Sequence, residues 1–191
     1  MVDEETGSWW QQVTGECILG KLRGNRLRRI PADEVTLATW RAEHPESTAV
    51  KFDPRYLASY PGSDWERRIE RLPAPGSREL VIGIELDGAS AAYRLSTLHA
   101  QSPINTQVGS TAIVLVLSAD GNSVRSFIRP RVEGKVVEFY GRPEDGALID
   151  SATASIWSFA GQATSGPLKG MALEQVQITK DYLFDWQRHA R

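Results

Sequence analysis

Apolar and polar positions change rhythm several times along the chain, and each change marks an element. "ELVIGIEL" at 79–86 is a short apolar run rich in β-branched residues, which predicts a strand. "DG" at 87–88 predicts a tight hairpin turn into "SAAYRL". "TAIVLVLS", "SVRSFIRP" and "KVVEFYG" predict three more consecutive strands, with "ADGN" at 119–122 turning the first into the second. Twice the period lengthens. Leu37, Trp40 and His44 fall at i, i+3 and i+7, which predicts a short helix capped by Thr36 and stopped by Pro45. Leu183, Trp186 and Ala190 repeat that face near the other end. The pattern predicts a mainly β (α+β) protein of roughly nine to twelve short strands and two or three short helices.

The two helices belong to a wider repetition. Asp3, Thr6, Ser8 and Trp10 recur as Asp150, Thr153, Ser155 and Trp157. After a slip of one residue, Gly15, Gly20, Leu22, Gly24 and Leu27 recur as Gly161, Gly166, Leu168, Gly170 and Leu173. Leu37 with Leu183 and Trp40 with Trp186 complete eleven identities over about 35 positions, where unrelated sequence gives roughly two. Duplication explains this better than chance, so internally duplicated antiparallel β-repeat units are expected, each ending in a short Trp-containing helix.

The shared residues are structural types. Asp-x-x-Thr-x-Ser before a tryptophan reads as a turn closed by its own side chains, entering a strand. Ala154 stands where the first copy has Gly7, which predicts that a positive φ is not required there. The strand and helix tryptophans are expected in the core, since tryptophan buries a large area. Trp9, whose counterpart is Ile156, is expected to be buried too, and Trp65, in the charged stretch "DWERRIERL", to be exposed.

Composition narrows the classes. The 191 residues are 41% hydrophobic and 24% charged with a net charge of −2, an ordinary soluble balance with no global field for nucleic acid. The basic run "KLRGNRLRR" at 21–29 reads as a solvated face. The longest apolar run, "AIVLVL" at 112–117, is too short to span a bilayer, so no transmembrane segment is expected. Cys17 is the only cysteine, which excludes an intramolecular disulfide, and its partner Ala163 predicts a buried, inert thiol.

Candidate chemistry is sparse. His99, in "TLHAQSPIN", precedes a turn and is a candidate ligand-binding group. His44 and His189 sit at helix ends, where an imidazole bonds the last carbonyls. Asp3 and Asp150 read as turn closures rather than metal ligands. There is no G-x-S-x-G, phosphate loop, G-x-G-x-x-G or zinc signature, so no catalytic set, metal or cofactor is expected.

The ordered series resembles a known family. D-x-x-T-G-S-x-W, then G-x-x-x-x-G-x-L-x-G-x-x-L and a helix ending in His-Pro, is similar to the prokaryotic family catalogued as domain of unknown function 3179. "AAYRLSTL", "SPINTQVGSTAIVLVL" and "SFIRPRVEGKVVEFYG" continue the likeness in the family's order. The resemblance implies that 80–191 form a complete second repeat, that 1–50 form the C-terminal half of a first, and that 51–79 connect them. It also implies an extracytoplasmic location and makes Tyr93 and Asn105 candidate ligand-binding residues, since both match family motifs. The family's C-P-L-[C/T]-G motif falls on Leu117, Ser118, Ala119, Asp120 and Gly121, without a cysteine. Its His falls on Gln101 and its Asp on Thr106. The expectation is therefore a binding or structural module for an unknown ligand. The alternative is a fragment of an enzyme or thiol/metal protein whose motif lies upstream of Met1. An apolar face in 1–50, including Trp9 or Trp10 and Val13, is expected either to be covered by segment 51–80 or to pair edge to edge with a second chain, and the polarity of that segment favours a homodimer.

Overall fold

The computed structural model describes residues 1–11, 14–28, 30, 32–51, 53–59, 79–142 and 147–189. Trp65, Val13, Arg29 and Ala190 lie outside them, as does most of the 51–79 connector. The protein divides into two compact units, Met1–Ala32 and Asp33–Arg191.

In the first unit, β1 (Trp9–Trp10) pairs antiparallel with β2 (Cys17–Leu19). Met1 and Val2 run along the other side of β1: Val2 bridges Trp9, the Met1 amine donates to the Trp10 carbonyl at 2.9 Å, and the Trp10 N–H donates back to Met1 at 2.8 Å. Ser8, Trp10 and Cys17 are buried, and the Cys17 thiol donates to the Leu19 carbonyl at 3.4 Å. Trp9 is 52% exposed, contrary to the burial its counterpart implied. Successive strand residues face opposite sides, and this small sheet has one covered face, which Trp10 occupies. Lys21, Arg23, Arg26 and Arg28 are exposed, as a solvated basic run requires.

The second unit stacks its sheets around two cores. β3 (Leu80–Leu86) and β4 (Ala89–Arg94) form the hairpin read from "DG", with Asp87 and Gly88 at φ 51° and 78°, and β15 (Thr179–Tyr182) pairs on the other side of β3. A second sheet runs β14-β7-β6-β5, from β5 (Ile104–Val108), β6 (Thr111–Leu117), β7 (Val124–Ile128) and β14 (Gln175–Val176). A third runs β10 (Phe139–Gly141), β11 (Leu148–Asp150), β12 (Ile156–Trp157), β13 (Ala163–Ser165).

The middle sheet is covered on both faces, which explains the continuous run "AIVLVL". Ile113 and Leu115 point into a core with Ile82, Ile84 and Leu98, while Val114 and Val116 point into another with Phe127, Phe139 and Trp157. "KVVEFYG" is not one strand. β9 (Lys135–Val136) forms a small ribbon with β8 (Arg131–Val132), and Phe139–Gly141 then leaves for the third sheet. Splits of this kind bring the described strands to fifteen, above the number read from the pattern.

Among the described residues of this unit are three short α-helices: α1 (Leu37–Glu43), α2 (Leu95–Gln101) and α3 (Leu183–His189). Thr36 caps α1 as read, its hydroxyl accepting from the Thr39 N–H at 3.2 Å. The two helix tryptophans differ. Trp186 lies so close over β3 that a Cβ on Gly83 would stand 2.0 Å from its ring. Trp40 is 41% exposed, donates to Ser47 at 2.9 Å and lies tilted against the His44 ring at 4.2 Å, so it does not fill a sheet core as expected. α1 is held by polar bonds rather than by an apolar face, none of its residues being buried: the Thr36 N–H donates to Ser123 Oγ at 2.9 Å and its hydroxyl to Asp120 at 2.8 Å. No helix among the described residues is long and apolar enough to cross a membrane.

Candidate functional site

The turn between β6 and β7 and the α2–β5 corner face each other across a cavity of about 340 Å³. Its wall includes His99, Ser102, Leu117, Ser118, Gly141 and Arg142. Leu117 and Ser118 are the first two positions onto which the C-P-L-[C/T]-G pattern falls. Exposed His99 reaches the cavity from α2, its ring lying against Gly121, where a Cβ would be 3.2 Å away.

The other polar groups here are engaged. Ser102 Oγ accepts from the Leu117 N–H at 2.8 Å, fastening the corner to β6. The Ser118 hydroxyl donates to Asp120 at 2.5 Å and accepts from the Ser123 N–H at 3.0 Å. Asp120 also accepts from the Asn122 N–H at 3.0 Å and from Thr36. The Ser118 hydroxyl first, then these two donors, hold the Asp120 carboxyl below its ordinary range. Such a carboxylate closes a turn.

The structure does not bring the three sequence candidates together. His99 lines the cavity, and Tyr93 and Asn105 do not. Asn105 Nδ2 donates to the Phe139 carbonyl at 2.8 Å, and its Oδ1 accepts from the Phe139 N–H at 2.9 Å. Tyr93 packs against the first core with its hydroxyl 3.3 Å from Thr106 Oγ1.

Sequence reasoning missed a buried ionic cluster. Arg125, whose side chain is 5% exposed, pairs with Asp33 and Glu43 at 2.6 Å each and lies 4.7 Å from the centre of the Phe159 ring. Gln175 also donates to Asp33. Burial pulls the guanidinium down, but Glu43 and Asp33 more than reverse that and raise it above its ordinary value. One cation within two carboxylates and an aromatic face is a fastening of residues 33–43 to β7. The signal for it was a charged residue inside the apolar strand "SVRSFI". Its partners lie 92 and 82 positions away, beyond any local pattern.

The two Asp–Thr–Ser–Trp loops carry matching bonds. Asp3 Oδ1 accepts from the Thr6 N–H at 2.6 Å, and Asp150 Oδ1 from the Thr153 N–H at 2.6 Å. The Trp10 indole donates to Asp3 Oδ2 at 2.8 Å, and Trp157 to Asp150 Oδ2 at 3.0 Å. Ser8 Oγ accepts from the Leu22 N–H at 3.3 Å, and Ser155 Oγ from the Leu168 N–H at 3.0 Å. The Trp10 indole, then the Thr6 donors, lower Asp3 to about 2. Burial pushes Asp150 up, but Trp157, Thr153 and Ala152 together hold it below its ordinary value. One expectation is overturned: Ala154 has φ 55°, close to the 65° of Gly7. The loop's bonds impose the left-handed conformation on alanine as well.

No His, Cys, Asp or Glu cluster of metal-binding size occurs among the described residues. The family model described as "Protein of unknown function (DUF3179)" matches residues 1–190. No curated protein and no solved structure matches the chain.

Proposed function

Taking as premise that the chain belongs to the DUF3179 family, we propose that it is a non-catalytic binding or structural module made of duplicated β units. Eleven identities and the matching hydrogen bonds of the loops at Asp3 and Asp150 support the duplication. One observation carries the non-catalytic reading. At the positions where the family's polar motifs fall, Asn105, Ser118 and Asp120 are all engaged in hydrogen bonds that fix the backbone and close the turn. A general base or nucleophile must present a lone pair to a substrate, and neither Asn105 nor Asp120 lines the cavity.

The binding surface in this reading is the cavity beside α2. Its volume suits a small molecule, and its wall mixes apolar side chains with nearly as much polar surface, which suits a polar ligand. His99 is its exposed titratable group. The test is a thermal-shift screen of small polar and anionic compounds on wild type and on His99→Ala. A compound that raises the wild-type melting temperature and loses that effect in His99→Ala supports the module. Turnover of a screened ester or phosphate that disappears in His99→Ala replaces binding with catalysis.

A further inference from the structure

A different place, the outer face of the β1–β2 hairpin in the first unit, carries an inference that does not depend on that cavity. Trp9 and Leu19 stand opposite each other across the hairpin with Ile18 beside them, and each is more than half exposed. Trp10 and Cys17 occupy the covered face. Lys21, Arg23, Arg26 and Arg28 follow in the chain, and all four are exposed.

The second copy shows that this hairpin faces solvent even when its sheet is larger. β12 and β13 pair with the same register shift as β1 and β2, so Ile156, Thr164 and Ser165 take the places of Trp9, Ile18 and Leu19. β10 and β11 extend that sheet on the other side of β12, and Thr164 is exposed all the same. Pro167, Lys169, Ala172 and Glu174, the counterparts of the four cations, are exposed as well. The backbone is the same in both: the Gly24 N–H donates to the Cys17 carbonyl at 3.1 Å, and the Gly170 N–H to the Ala163 carbonyl at 2.9 Å. The surface is not. From Glu16 to Arg28 four cations stand with one carboxylate, whereas from Gln162 to Glu174 one cation stands with one carboxylate. The first copy thus carries an apolar, cationic face where the second carries a polar, neutral one, and the turn itself requires neither.

We propose that this face docks on an anionic lipid membrane, lying on its surface rather than spanning it. Trp9, Ile18 and Leu19 enter the headgroup boundary, where a tryptophan ring is at home. Lys21, Arg23, Arg26 and Arg28 meet the anionic headgroups, their long apolar stems letting the charged ends stay at the level of the phosphates. Charge complementarity selects an anionic surface, and the aliphatic pair selects lipid over nucleic acid, whose bases stack on aromatic faces.

The test is cosedimentation of the full chain with vesicles of phosphatidylcholine alone, or of phosphatidylcholine with about 30% phosphatidylserine. Binding to the anionic vesicles is expected to be at least tenfold tighter than to the neutral ones, and to weaken between about 0.1 M and 1 M salt. Ile18→Thr with Leu19→Ser should weaken it at least fivefold, and Arg26→Ala with Arg28→Glu at least tenfold. These substitutions install what the second copy carries on the same backbone, and circular dichroism checks that the hairpin folds. Should either pair unfold, Trp9→Ile replaces it, with at least a threefold loss expected. No binding by about 1 mM lipid, equal binding to both vesicles, or binding undiminished by the variants overturns the proposal. A chain that self-associates by light scattering, is separated by Ile18→Thr with Leu19→Ser and ignores both vesicles assigns the face to a second copy, and overturns it too.

Discussion

Around Asp3 the loop closes at the edge of a small two-stranded sheet, with Met1 and Val2 exposed. Around Asp150 the matching bonds close within a four-stranded sheet, and Asp150 is 2% exposed. What differs is the solvent and packing around the clamp, not the clamp. A hydrogen-bond set written in eight consecutive residues forms wherever those residues occur, while its worth is set by what lies on top of it.

The largest expected effect separates the two carboxylates. Asp150→Ala leaves the buried Trp157 indole and the Thr153 donors without their acceptor, and should lower stability by about 3 kcal/mol in urea unfolding. Asp3→Ala opens an already hydrated loop and should shift the midpoint much less. Equal shifts would break the comparison. The pH dependence sharpens it. Both carboxyls are depressed in the folded protein, Asp3 to about 2. Their contribution is therefore present above the unfolded value of about 3.9 and is lost as the pH falls through the folded one. Urea midpoints measured at about pH 5 and pH 2.5 should drop for wild type and drop less for Asp150→Asn.

Next come two glycines in equivalent turns. Gly15 and Gly161 both have positive φ, at 71° and 77°. A Cβ at Gly161 would stand 2.6 Å from the Phe127 ring, whereas at Gly15 the nearest atom is 3.4 Å away on Leu27. Gly161→Ala should therefore cost about 1–3 kcal/mol more than Gly15→Ala, the added amount being overpacking. A similar loss for both would show that the conformation alone decides.

Cys17→Ala makes the first unit like the second at that position and should change stability by about 1 kcal/mol. The Cys17 thiol is buried, so native protein should label slowly with a thiol reagent, and fast labelling would contradict that burial. The smallest effect is at Ala154. Ala154→Gly should stabilise by about 0.5–1 kcal/mol by relieving a positive φ, while Gly7→Ala should destabilise by a comparable amount.

What the sequence made legible is what short separations decide. The turn closures at Asp3 and Asp150, the Thr36 cap and the Asp87–Gly88 hairpin all rest on residues within seven positions of one another. The Ala154 conformation was misread because residue type was taken to limit φ, when five hydrogen bonds to Asp150 and its neighbours outweigh an alanine's preference. Trp40 and Trp9 were misplaced because burial depends on which face is covered, which their own segments do not encode. At the candidate site, His99 was legible as a residue but the wall facing it was not, since Leu117, Gly141 and Arg142 arrive from other strands.

Asn105 has a consequence for how the fold reaches its one arrangement. Its amide meets both main-chain groups of Phe139, so a side chain imitates a neighbouring strand at a single rung. Sliding β10 by one residue would offer that amide a different peptide group at the wrong height and put Tyr140 where Phe139 belongs. Apolar contact tolerates approximate fits, but a two-point polar contact does not. The rung thus works as a proofreader of alignment, rejecting near-native arrangements that hydrophobic burial alone would accept.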